Sequence, residues 1–253
     1  MGNKFGFCCC KECATIGYEI DIPDLVKTCC KKGAEYESFT NVALLNLPGP
    51  LTSEKLYPLD LLHIFPVPDF NTDTNGDGFV TMADWYFYNG FKESDYTVIG
   101  DWLYGGGRIL INFPGLDPGQ NITRRTWFVD EMNDRLALLG STMEVNDGMC
   151  QPGLGRISTT DFNPAIGFGP DSQTLSYSDA VSVSGGTWVF KSNTYGAANC
   201  GVAFPIMSLE VIGGGLLVVC SSRFITQFGS GDTRFVNCPV FNSIINTPID
   251  DIL

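Results

Sequence analysis

The chain has 253 residues, 44% hydrophobic, 12% aromatic and only 17% charged, a balance that belongs to a well-packed globular protein and excludes disordered and coiled-coil classes. Fifteen Lys and Arg stand against 28 Asp and Glu, a formal charge of −13, so the body repels phosphate backbones and nucleic acid is not expected as a partner. No stretch reaches the ~18 apolar residues of a bilayer span, and the start from Met1 to Cys8 has no apolar run with a small-residue cleavage site, so neither a membrane span nor a secretory leader is expected.

The first residues form a compositional unit of their own. Residues 1–33 hold five Lys and four acids, and six of the ten cysteines crowd there as Cys8, Cys9, Cys10, Cys13, Cys29 and Cys30. Residues 1–38 therefore read as a cysteine-rich arm and 39–253 as an α/β domain. Disulfides would staple an arm too small for a core. Zinc held by Cys10, Cys13 and the later pair, or free thiols, remain open alternatives.

From Phe39 the text changes to short apolar runs at 42–47, 61–67, 108–113 and 215–220, which suit strands buried on both faces of a parallel sheet. Val98, Ile99, Trp102 and Leu103 make one helical stripe that Gly105-Gly106-Gly107 stops, and 127–139 repeats the pattern before Gly140. Residues 141–196, rich in Gly, Ser, Thr, Asn and Asp, read as loops and small strands decorating one end of the sheet.

The strongest local motif lies in an insertion at about 69–92. Asp73, Asn75, Asp77, Phe79, Thr81 and Asp84 stand at positions 1, 3, 5, 7, 9 and 12 of a calcium loop, with Gly78 at the position where the backbone must turn sharply round the ion. The side chains of Asp73, Asn75 and Asp77, the carbonyl of Phe79, the hydroxyl of Thr81 and the carboxylate of Asp84 would supply the oxygens that hard Ca²⁺ requires. Val80 is expected to pack inward, and 84–88 to open an exit helix. The loop resembles a dockerin repeat; no second copy follows, so cohesin binding does not carry over with the ligands.

Further segments bear on function. Helix-Gly105-Gly106-Gly107-Arg108-Ile109-Leu110-Ile111, the stretches 133–145, 175–186 and 211–220, and a last helix at 240–246 together resemble the non-catalytic members of the class I glutamine amidotransferase-like superfamily. That resemblance implies a flavodoxin-like, three-layer fold with a mostly parallel sheet. Active members of the superfamily use a cysteine elbow with a histidine and an acid. Here Gly148-Met149-Cys150-Gln151-Pro152-Gly153 lacks the elbow spacing, the single histidine, His63, sits in an apolar run where a polar neighbour would satisfy it, and Cys220 reads as core packing. No catalytic residues and no organic cofactor are assigned. The start Met1-Gly2-Asn3-Lys4-Phe5-Gly6-Phe7-Cys8-Cys9-Cys10 resembles that of structural proteins of tailed phages.

The expectation is a non-enzymatic calcium-binding structural protein of an extracellular assembly or virion, with protein subunits, its own or others, as partners. The alternatives are a calcium-dependent carbohydrate- or protein-binding module, with Trp85, Tyr86 and Tyr88 stacking on sugars, and a cysteine-dependent hydrolase.

Overall fold

The structure is a computed structural model that describes residues 15–18, 43–46, 50–87, 91–113, 121–150, 158–173, 175–177, 180–192, 203–221 and 233–253. In chain order the strands are β1 (Thr15–Tyr18), β2 (Ala43–Asn46), β3 (Leu61–Ile64), β4 (Pro68–Asp69), β5 (Tyr86–Phe87), β6 (Arg108–Asn112), β7 (Glu144–Cys150), β8 (Ser158–Phe162), β9 (Ser176–Tyr177), β10 (Ala180–Ser184), β11 (Thr187–Ser192), β12 (Pro205–Ile212) and β13 (Gly215–Cys220). The helices are α1 (Ser53–Leu56), α2 (Glu93–Tyr104), α3 (Ile122–Leu138) and α4 (Thr233–Asn246).

Nine strands form one sheet in the order β2-β1-β3-β6-β13-β12-β11-β8-β9. The pairings from β2 through to β13 are parallel, and those from β13 through to β9 are antiparallel. The sheet is thus mixed, not mostly parallel. The runs at 42–47, 61–67, 108–113 and 215–220 do become β2, β3, β6 and β13, and β13 shows why such runs carry no alternation. All six of its residues are buried. Leu216, Val218 and Cys220 enter one apolar cluster with Val240, Phe241, Ile244 and Ile245 of α4. Leu217 and Val219 enter another with Ile99 and Leu103 of α2 and Phe128, Met132 and Leu136 of α3.

In the stretch read as loops and small strands, the described residues carry five strands, β7 to β11. β8, β9 and β11 extend the antiparallel half, while β10 pairs with β7 in a separate two-stranded sheet whose Val145, Val181 and Val183 join the α2–α3 cluster. Thr15–Tyr18, inside residues 1–38, lies between β2 and β3 and pairs with both, so these four residues belong to the sheet. The six arm cysteines lie outside the described residues.

Polar side chains close the gaps between elements. Arg108, at the start of β6, donates to the Ile244 carbonyl at 2.7 Å and so satisfies an acceptor that the last turn of α4 cannot use itself. Glu210 of β12 accepts from the Ser141 hydroxyl and from the amide and hydroxyl of Thr142, fixing the turn that leaves α3.

His63 departs from its expected role. It is fully buried in β3, and among the described residues neither imidazole nitrogen has a hydrogen-bond partner. Burial lowers its pKa to about 4 because the surroundings cannot solvate the cation. The unfolded chain, titrating near 6.5, then binds the proton first. Stability should hold above that pH and fall by up to about 3 kcal/mol as pH drops from 6.5 to 4. Urea unfolding at several pH values tests this, since His63→Leu should lose less over that window, and an equal loss in both proteins would refute the assignment.

Candidate functional site: the loop between β4 and β5

The motif at 73–84 is carried by a loop with a strand at each end. Pro68 pairs with Phe87 and Asp69 with Tyr86 in an antiparallel stem. The chain after Asp84 does not open a helix. A single 3₁₀ turn, Met82–Asp84, ends at Trp85, which is extended with ψ 135°, and β5 follows. Aromatic residues fit a pleated surface, and the run Trp85-Tyr86-Phe87 takes that course.

Rings anchor the stem to the body. Phe70, Trp85 and Trp127 meet pairwise at centroid distances of 5.2, 5.5 and 6.0 Å, all edge-on. Phe87 continues the stack to Trp127 and Phe128. The Arg124 guanidinium lies 5.1 Å from the Phe70 centroid and donates to the Phe70 carbonyl. Asp69 accepts from the Asn71 and Thr72 amides, the Thr72 hydroxyl and the Tyr86 hydroxyl. These donors, the Asn71 amide first, hold its carboxyl below the ordinary range. Trp85 and Tyr86 are partly buried in this base, and Tyr88 lies outside the described residues.

Above the stem the backbone curls round its own side chains. Asp73 accepts the Gly76 amide on Oδ1 and the Gly78 amide on Oδ2, both at 2.7 Å. Asn75 accepts from Asp77 at 2.9 Å, and Asp77 from Phe79 at 2.8 Å. Gly76 and Gly78 have φ of 75° and 87°, the left-handed region that glycine enters without cost to a Cβ. The motif glycine at 78 is therefore required by the backbone whatever the loop binds.

Asp84 behaves differently from its three companions. It is 2% exposed and accepts four bonds: the amide and hydroxyl of Thr74 on Oδ1, the amide and hydroxyl of Thr81 on Oδ2. A carboxylate offers about four lone-pair sites, so these donors fill it and tie the two ends of the loop together. They lower its pKa to about 2, the Thr81 amide contributing most. Asp73, Asn75 and Asp77 each keep acceptor capacity beyond the bonds they make. Among the described residues no three His, Cys, Asp or Glu side chains converge as a metal cluster. The candidate set mixes carboxylates with an amide, a hydroxyl and a main-chain carbonyl.

Several features of this site were not read from the motif. Thr74, the Asp69 knot and the Phe70–Trp85–Trp127 base lie outside the twelve-position pattern, although Asp69-Phe70-Asn71-Thr72 carries the Asx-turn residues that signal such a knot. Val80 is 44% exposed and does not pack inward, and Phe79 and Met82 are exposed beside it. The constellation weighed for hydrolysis is spread across two sheets, with His63 in β3 and Cys150 at the end of β7. Cys220 is buried, as expected of a core thiol.

Fold and loop together define a mixed α/β protein with a strand-ended, hydrogen-bonded loop after β3. No family model matches the chain, and no curated protein matches it. Among solved structures it is similar to the mmIFT52 N-terminal domain, at 15% identity over 93% of this chain and 99% of that one, TM-score 0.53. It is likewise similar to the cytoplasmic protein STM1381 from Salmonella typhimurium LT2, at 14% identity over 91% and 98%, TM-score 0.55. At these identities the likeness is one of fold. A beta-galactosidase from Bacillus circulans sp. alkalophilus also matches, at 9% identity over 92% of this chain and 31% of that one, with a TM-score of 0.47. These neighbours overturn the resemblance to glutamine amidotransferase-like domains, and nothing in them links the chain to a phage. The physical reason lies in two quoted segments. Residues 211–220 form an antiparallel β12–β13 hairpin, and 175–186 fall in short antiparallel strands; a glycine followed by a buried strand is common grammar in α/β folds.

Proposed function

We propose that the chain is a non-enzymatic, calcium-binding structural protein that works within a larger extracellular assembly, with the loop at 73–84 as its calcium site. The observation that carries this reading is the curl of the loop round Asp73, Asn75 and Asp77, which accept the loop's own amides and keep further acceptor capacity on a stretch made of hard oxygen donors only. Such donors suit Ca²⁺ and not the softer transition metals. The Phe79 carbonyl and Thr81 hydroxyl would complete the set. Asp84 joins it only by giving up bonds from Thr74 or Thr81, so Asp73, Asn75 and Asp77 form its core. The finer architectural reading, layers of helices on both faces of a half-parallel sheet, is supported by the two apolar clusters.

Calorimetric titration with calcium tests the site. One ion should bind with a Kd of about 10⁻⁴–10⁻³ M, the range of extracellular sites, and millimolar calcium should raise the melting temperature by linkage. Asp77→Ala should weaken binding at least tenfold and remove the calcium-dependent rise. Wild-type protein that shows neither heat nor thermal shift at millimolar calcium would refute the site.

A further inference from the structure

The three large apolar side chains at the loop tip have no place in the calcium reading. Phe79 is 73% exposed, Met82 57% and Val80 44%, in a chain whose other phenylalanines of the loop region, Phe70, Phe87 and Phe91, are buried. Neighbouring exposed apolar residues of this kind mark interaction sites. The tip is also held in shape. The amide of Phe79 is bound by Asp77, and Thr81, on the far side, is bound through both amide and hydroxyl by Asp84, which is anchored in turn to Thr74. A contact presented on a fixed backbone loses less conformational freedom on docking than one on a free loop.

The charge around the tip narrows the occupant. No Lys or Arg occurs between Lys55 and Lys92, whereas Asp69, Asp73, Asp77 and Asp84 fall within the loop and its stem. Apolar elements that enter lipid draw on clusters of Lys and Arg to reach an anionic surface, whereas Arg124, at the base of the stem, is already engaged by the Phe70 carbonyl and ring. A second copy would bring another body of charge −13 against an acidic loop. We infer that the tip formed by Phe79, Val80 and Met82 docks into a protein partner that offers an apolar pocket bordered by Lys or Arg side chains. The inference rests on the assembly half of the proposed function; a bound calcium ion would offset part of the charge of the four aspartates and leave the loop and stem acidic.

The test pans a randomised cyclic-peptide library against the full chain, then measures each selected peptide against wild type and against Phe79→Ser/Val80→Ser/Met82→Ser. The substituted residues are exposed, and circular dichroism checks that the variant is folded. Selected peptides should combine apolar residues with Lys or Arg, bind the variant at least tenfold more weakly, and weaken with added salt. Equal binding to both proteins, or no enriched peptides, would overturn the inference. So would tip-dependent sedimentation with phosphatidylcholine–phosphatidylserine vesicles, or a tip-dependent dimer in sedimentation velocity, since each names another occupant. Terbium luminescence on the same two proteins separates the readings: terbium binding without peptide binding fails the tip alone, and peptide binding without terbium binding fails the calcium site alone.

Discussion

Replacing Phe128 by alanine is expected to destabilise the fold by about 3–5 kcal/mol, the cost of emptying a buried aromatic site. Phe128 is 1% exposed and lies between Phe87 at 5.6 Å and Phe113 at 5.4 Å, both edge-on. The rings around it cannot collapse into the space, because Phe87 is also held by the Arg135 guanidinium 4.3 Å from its centroid. Urea denaturation should show a lower midpoint with an unchanged slope. Ile122→Ala, on the same helix but 65% exposed, should shift the midpoint by less than about 0.5 kcal/mol. A Phe128 variant as stable as that control would mean that the aromatic stack does not tie the loop stem to the body.

Gly215→Ala should cost about 3 kcal/mol or more, by overpacking and not by lost contact. A Cβ at this position would stand 1.9 Å from the Leu103 carbonyl oxygen and 2.5 Å from that of Gly107. Both obstacles are backbone. They cannot retreat, because Gly214 donates to Tyr104, Gly106 to Leu103 and Leu216 to Gly107, which stitches the end of α2 to the β12–β13 turn. Gly169→Ala, where nothing lies within 4 Å of the new carbon, should be near neutral. Thermal melts of the two variants side by side would decide the matter, and equal melting temperatures would refute the packing argument.

That stitching shows how far the sequence could be read. The glycine run at 105–107 was legible as a helix stop before a strand, since glycine ends helices readily, and α2 and β6 lie on either side of it. The second run, Gly213-Gly214-Gly215, looked the same but closes a hairpin. Its two arms, 205–212 and 215–220, are both too apolar for alternation to reveal which faces they turn where. The polar strands β8 and β9 were hidden for the opposite reason: their Ser and Thr content imitates loops, and their pairing partners distinguish them. In the loop, spacing made the oxygen-bearing residues visible. It could not show that Asp84 is filled by Thr74 and Thr81, because those bonds depend on a three-dimensional closure that a ligand pattern does not encode.

The place of β13 at the seam of the sheet has a consequence for the route by which the chain folds. On its antiparallel side, β13 joins β12 across a two-residue turn, and β12 joins β11 nearby. On its parallel side it must find β6, with Leu216 beside Arg108, more than a hundred positions earlier in the chain. Loop closure over that distance is entropically slow, whereas the hairpin closes locally. The β11–β12–β13 meander would therefore form first and serve as the template on whose free edge β6, and then β3 and β1, are laid down. A chain released before residue 215 would have the N-terminal half of its sheet without the strand on which it is laid down.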